Sequence, residues 1–314
     1  MNLSTSSSEL KVIATAVLVF GAVELGIRAI EDKLSIDVKH IHAIPSIVAG
    51  LDRQPAPHVV FLGNSLTRAS IHTEAIAEVW PAAPSMARIH PDDTTLLDWH
   101  YIYQRYVATM KPRTNLIVVS FVRWQLDDNQ ELHVDRLGSH FAGFQFAREA
   151  FEHDVREMGD RIEFMLAGTF RAMANRERVQ YRILASVPGY KELANSVNHG
   201  VRAKAGTPAN QSGAPSYTRM HRFLAAARAR GDKVLFVAIP LPHSYEITDE
   251  LRTAIREGGA NLIDMQGVEP LIGQDFPDGY HLSEEAAPRL SRALGRAMME
   301  NEFVQAALHG GAKH

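Results

Sequence analysis

His58-Val59-Val60-Phe61-Leu62-Gly63-Asn64-Ser65-Leu66-Thr67 decides the fold. Its first five residues form a short, nearly continuous apolar run, as expected for a strand buried on both faces. Gln54-Pro55-Ala56-Pro57 precedes it, and prolines so placed suit an extended entry. Gly63 then permits a tight reversal, which leaves Ser65 at the start of a helix. Further out, residues 115–122 (NLIVVSFV), 233–239 (KVLFVAI) and 260–264 (ANLID) repeat the buried-strand pattern. Helix-like stretches at 73–80, 96–110, 216–230, 248–257 and 283–308 stand between and after them. Buried strands alternating with helices predict a three-layer α/β/α fold with a mostly parallel, flavodoxin-like central sheet. Ligands in such sheets bind beyond the carboxyl ends of the strands, which is where Ser65 falls.

A second string near the other end, Phe276-Pro277-Asp278-Gly279-Tyr280-His281-Leu282-Ser283, complements the first. A serine nucleophile needs a base, and the base needs a group that orients it. Ser65, His281 and Asp278 supply those three residue types. The i, i+3 spacing of Asp278 and His281 can bring both side chains to one side of a turn. A carboxylate on one imidazole nitrogen would leave the other for Ser65. The same residues also have local uses. Asn64 or Ser65 can cap a helix, Asp278-Gly279 is a turn signal, and Ser283-Glu284-Glu285 suits a helix N-terminus.

Together the two strings resemble the first and last sequence blocks of the SGNH/GDSL hydrolases. In that family a Gly-Asp/Asn-Ser turn carries the nucleophile, and an Asp-x-x-His segment carries the other two members. The resemblance implies catalysis by Ser65, Asp278 and His281, with Gly63 and Asn64 in the oxyanion and substrate-binding turn. It also implies oxyanion donors from a glycine in a second block and an asparagine in a third. Here the corresponding stretches read Met86-Ala87-Arg88-Ile89-His90-Pro91-Asp92-Asp93 and Val122-Arg123-Trp124-Gln125-Leu126-Asp127-Asp128-Asn129. Arg123 and Gln125 are the donors expected in their place. The activity implied is ester hydrolysis or acyl transfer on an acylated small molecule or a polysaccharide, without a cofactor. Two other readings stand beside it: a soluble cytoplasmic esterase or lipase, and a non-catalytic assembly or carbohydrate-binding protein of the same fold.

Composition narrows the field. The 314 residues carry 33 basic and 36 acidic side chains, a net charge of −3, so nothing points to nucleic acid. The absence of cysteine excludes disulfides, thiolate metal sites and a cysteine nucleophile. His40-x-His42 and His90-Pro91-Asp92-Asp93 are weak metal-binding patterns without further ligands, and no metal site is expected. Trp99, Tyr101, Tyr103 and Tyr106 lie in a helix-like stretch and read as core packing rather than a sugar platform. The four arginines within 171–182 read as a solvated face.

Residues 12–30 (VIATAVLVFGAVELGIRAI) follow a polar head and approach the length of a membrane span, with Glu24 and Arg28 in the last turns. No Ala-x-Ala site clearly follows, so an uncleaved anchor is expected, with the catalytic domain outside the cytoplasm. The expected organisation is an anchor or apolar helix at 1–30, a connector at 31–57, and an SGNH-like α/β domain at 58–310. Within that domain a helical insertion at about 130–215 lies near the mouth of the site and includes a mobile loop from 195.

Overall fold

The structure is a computed structural model that describes residues 7–111, 116–190 and 215–309. It divides into two compact units. One comprises residues 1–42 with 133–191, and the other residues 43–132 with 192–314.

The second unit holds the sheet. Its strands are β1 (His58–Leu62), β2 (Ser85–Ile89), β3 (Leu116–Phe121), β4 (Lys233–Ala238) and β5 (Asn261–Asp264). They are all parallel, in the order β2-β1-β3-β4-β5. Every residue of β1 and β3 is buried, as is all of β4 after Lys233. This explains why those three strands read as apolar runs. The edge strands β2 and β5 are mostly half-buried. The expected sheet lacked β2. Its Arg88 sends a guanidinium to the Ile71 carbonyl, so the polar residues of SMARI hide an edge strand that has no continuous apolar pattern.

The helices of the sheet unit are α3 (Ser65–Ser70), α4 (Thr73–Val79) and α5 (Leu96–Arg105), and, later in the chain, Thr218–Arg230, Asp249–Glu257, Ala286–Glu300 and Glu302–His309. Helix 286–300 packs on α3 and α4, while helix 218–230 packs on α5. The first group shares an apolar core with β1, β3 and β4 through Val59, Phe61, Val118, Leu235, Leu290 and Leu294. The order 2-1-3-4-5 puts the topological switch between β1 and β3, and the crevice at their carboxyl ends is the expected ligand site.

The expected aromatic core is present except at Tyr106, which is half-buried just past the end of α5. Trp99, Tyr101 and Tyr103 are fully buried, and Tyr103 donates to Asp232 at 2.7 Å. That carboxylate also accepts from Arg230 at 3.0 Å. Burial and the Asp232 charge push the Tyr103 hydroxyl far above its ordinary pKa, which keeps it a donor.

The first unit is helical throughout its described elements. It begins with α1 (Ser7–Leu34) and the early turns of α2 (Ile36–Asp52), so the expected connector is a helix with Pro45 inside it. After His133 come α6 (Val134–Arg136), a π-helical turn Leu137–Phe141, α7 (Ala147–His153), α8 (Met158–Thr169), α9 (Arg171–Ala174) and α10 (Arg176–Leu184). The expected loop from 195 lies outside the described residues, except Pro215. The insertion is thus helical over its described part, and it packs on the N-terminal helices, α1 against α9 and α10.

Charge pairing ties the first unit together. Glu24 accepts the backbone N–H groups of Arg171 and Ala172 at 2.8 and 2.9 Å, and so caps α9. Asp37 receives Arg136 at 3.1 Å and Arg178 at 3.3 Å. Arg171 and Arg178 are therefore not part of a solvated face, while Arg176 and Arg182 remain exposed. Arg171, Arg178 and Arg182 turn toward Glu31, Asp37 and the carbonyls of Lys33 and Leu34. Their carboxylate partners lie some 140 residues away, where no local pattern shows them. His140 is buried beside Arg171, Arg178, His42 and Arg136. Desolvation first, then these cations, hold it neutral well below the usual histidine range. His42 meets Asp32 at 2.5 Å, and His40 lies on the same helix α2 rather than on a strand.

Candidate active site

The turn after β1 is built by close approach. A Cβ on Gly63 would stand 1.8 Å from Thr67 Oγ1 and 3.0 Å from the Ser120 carbonyl, so only glycine fits. Gly63 N–H donates to the Ile89 carbonyl of β2 at 3.0 Å. Its own carbonyl accepts from Trp99 Nε1 at 3.0 Å and from Thr94 Oγ1 at 3.2 Å. Asn64 is the N-cap of α3. Its Oδ1 accepts Leu66 N–H at 3.0 Å, its N–H donates to Thr67 Oγ1 at 3.2 Å, and its Nδ2 donates to the Thr94 carbonyl at 3.1 Å. The polar groups of Gly63 and Asn64 thus serve the turn itself. Ser65 follows at the first helical position, half-buried, where a helix leaves its N–H without an intrahelical partner.

The second string forms a turn around Asp278. Gly279 adopts φ +75°, a left-handed value that glycine accepts without strain. Asp278 Oδ1 accepts the N–H groups of Tyr280 and His281 at 2.9 and 2.7 Å, and Oδ2 lies 2.7 Å from His281 Nδ1. Partial burial pushes the Asp278 carboxyl up, but the hydrogen bonds from His281 and Tyr280 outweigh it and hold the group below its ordinary pKa. An ionised carboxylate only accepts, so the imidazole proton resides on Nδ1. Nε2 then presents its lone pair to Ser65 Oγ, 2.9 Å away. Serine, imidazole and carboxylate form one continuous chain of hydrogen bonds, in the order that nucleophilic activation requires.

Ser65, His281 and Asp278 are therefore brought together from opposite ends of the sequence. The contacts described for Arg123 and Gln125 lie outside this chain of hydrogen bonds. Arg123 is exposed, and its charge acts on Tyr217 and Glu250. Gln125 is buried, with Oε1 accepting Val122 N–H at 2.9 Å, so its amide nitrogen is the group left to donate. Asp92 pairs with Arg68 at 3.0 Å. No group of three or more histidines and carboxylates suited to a metal ion occurs among the described residues.

Three contributors escape a reading of the two strings. Thr94 and Trp99 lock the Gly63 carbonyl, with Trp99 Nε1 also 2.9 Å from Thr94 Oγ1. Trp124 stacks on Tyr280 at 6.4 Å between ring centres, and Tyr280 meets the His281 ring edge-on at 5.2 Å. An aromatic pair thus adjoins the base. Its only sequence signal is the position of Tyr280, next to His281. Comparison with protein-family models, with curated proteins and with solved structures found no match.

Proposed function

We propose that this chain is a membrane-anchored serine hydrolase or O-acyltransferase of the SGNH type, acting on acyl esters of envelope or exported polysaccharide. The observation that carries the reading is the Ser65–His281–Asp278 chain, with 2.9 and 2.7 Å links, in which an acceptor-only carboxylate favours the imidazole proton on Nδ1. Ser65 Oγ attacks the acyl carbonyl carbon while His281 Nε2 takes its proton. The tetrahedral intermediate collapses as His281 returns that proton to the leaving alkoxide, and the acyl group remains on Ser65. Water or a sugar hydroxyl, deprotonated in turn by His281, then attacks the acyl-serine and releases it as an acid or a new ester. The Ser65 N–H is the first donor for the oxyanion, and the Gln125 amide is a second candidate. The stacked Trp124–Tyr280 pair beside His281 supports a sugar-bearing substrate, since aromatic faces pack on apolar ring surfaces. The localisation rests on α1, the one helix among the described residues that is long and apolar enough to cross a membrane.

The test is active-site labelling followed by turnover. A fluorophosphonate is expected to add to Ser65, located by peptide mass, and to fail with Ser65→Ala. Acetyl-ester hydrolysis should vanish in the same variant. If wild-type protein neither takes the label nor exceeds Ser65→Ala on acetylated polysaccharide and small acetyl esters, the chemistry proposed is wrong.

A further inference from the structure

Helix α8 faces outward with its apolar side. Met158, Ile162, Met165 and Leu166 are 68, 55, 42 and 38% exposed, at spacings that put them on one stripe. Gly159 and Thr169 complete that stripe without adding a charge. Phe164 and Ala167 on the opposite side are buried, so the helix is already packed on its inner face. Of its charged residues, Arg161 and Glu163 flank the stripe and are engaged there, while Asp160 falls on the inner side. Arg161 bonds the carbonyls of Val155 and Phe151, and Glu163 meets Arg176 at 3.5 Å. Exposed Phe144 extends the patch, its ring lying over Gly168 of α8. A soluble surface helix has the reverse arrangement, and a contiguous apolar face of this kind marks an interaction surface.

The same unit shows what covers it. Phe170, which ends α8, packs edge-on against Phe20 of α1 with ring centres 5.0 Å apart. Phe20 lies one helical turn, about 6 Å, from Glu24 on the side of the apolar run. Glu24 in turn holds the first turn of α9. The end of α8 is therefore level with the last apolar turns of α1, next to where its polar residues begin. The uninterrupted run 12–23 is about 18 Å long, so a span across a hydrocarbon core of about 30 Å takes in the turns of α1 that carry Glu24 and Arg28. A helix lying in the headgroup–acyl boundary sinks its apolar face about 5–10 Å into the bilayer, a depth suited to a helix whose end lies beside these turns.

We infer that α8 is an interfacial helix, and that Met158, Ile162, Met165 and Leu166, with Phe144, dock on the lipid bilayer that receives α1. The inference rests on the reading of α1 as a membrane anchor. The chain contains no cysteine, so a single introduced thiol takes one dye. Full-length Ile162→Cys and Met165→Cys would each carry an environment-sensitive fluorophore. Val17→Cys would report on α1, and Glu152→Cys on an exposed polar site of α7. Each protein is reconstituted into phosphatidylcholine vesicles with a minority of phosphatidylglycerol and nitroxide-labelled acyl chains. The expected result is loss of fluorescence at Val17, Ile162 and Met165, with Glu152 unaffected. Quenching at Val17 alone overturns the docking of α8 and leaves the anchor standing. Quenching at none of the sites overturns both. A blue-shifted but unquenched signal at Ile162 and Met165 that strengthens with protein concentration overturns the bilayer in favour of a second copy of the chain.

Discussion

Replacing Asp278 with asparagine isolates the part of the site that the geometry defines best. The carboxylate accepts three hydrogen bonds, two from backbone N–H groups at 2.9 and 2.7 Å and one from the imidazole at 2.7 Å. An asparagine keeps an oxygen for the two backbone donors, so the turn should persist. The atom facing His281 Nδ1 then becomes an amide nitrogen, a donor where an acceptor stood. The imidazole must move its proton to Nε2 to accept from it, and Nε2 can no longer take the proton of Ser65. The wrong tautomer in a Ser-His-Asp site lowers kcat about 10⁴-fold, a figure taken from serine proteases and equal to about 5.4 kcal/mol at 1.36 kcal/mol per decade. Acetyl-ester turnover reads the rate. Imidazole ¹⁵N shifts of His281 read the tautomer whatever substrate the protein prefers. Wild type should show a protonated Nδ1 and Asp278→Asn a protonated Nε2, with unchanged thermal unfolding. Turnover within tenfold of wild type, or a protonated Nδ1 in the variant, would refute the assignment of roles.

Gly63→Ala should destabilise the sheet unit by at least about 2 kcal/mol, since the new methyl displaces Thr67 and breaks its bond to Asn64 N–H; urea unfolding checks it, and a change under about 0.5 kcal/mol would contradict the close approach. Tyr103→Phe removes the 2.7 Å bond to the buried Asp232 carboxylate and should cost about 1.5 kcal/mol, or roughly 3–6 °C in the melting of that unit by calorimetry. His140 is held neutral in the fold, while an unfolded histidine gains a proton below about 6.5. The unfolded state therefore binds more protons in that range, and the first unit should lose stability as pH falls from about 7 to 5. His140→Gln should flatten the slope, which denaturation at stepped pH would show.

The central strands were legible because β1, β3 and β4 are covered on both faces and so present continuous apolar runs. The triad was legible because its members sit in short strings whose turn residues, Gly63 and Gly279, mark the local geometry. β2 was not, because an edge strand that holds Arg88 half-buried lacks either periodic signature. The first unit was the least accessible. Its cohesion comes from pairs such as Asp37 with Arg178 and Glu24 with the α9 backbone, 141 and 147 residues apart. Spacing within a window carries no trace of such partners. The apolar stripe of α8 was not singled out, because spacing alone does not say whether such a stripe faces a core or the outside.

Ser65 and His281 are 216 residues apart along the chain. Their meeting depends on helix 286–300 reaching α3 and α4, where Ser291 Oγ accepts His72 N–H at 2.8 Å and bonds the Ser70 carbonyl at 3.0 Å. A ribosome working at about 5–20 residues per second needs roughly 10–45 s for that interval. Throughout it the serine is an ordinary alcohol with no base beside it. On the proposed chemistry, competence arrives only once His281 has been made, 216 residues after the serine. The distance between the two strings thus acts as a timer, and cytosolic esters meet a chain that cannot yet cleave them.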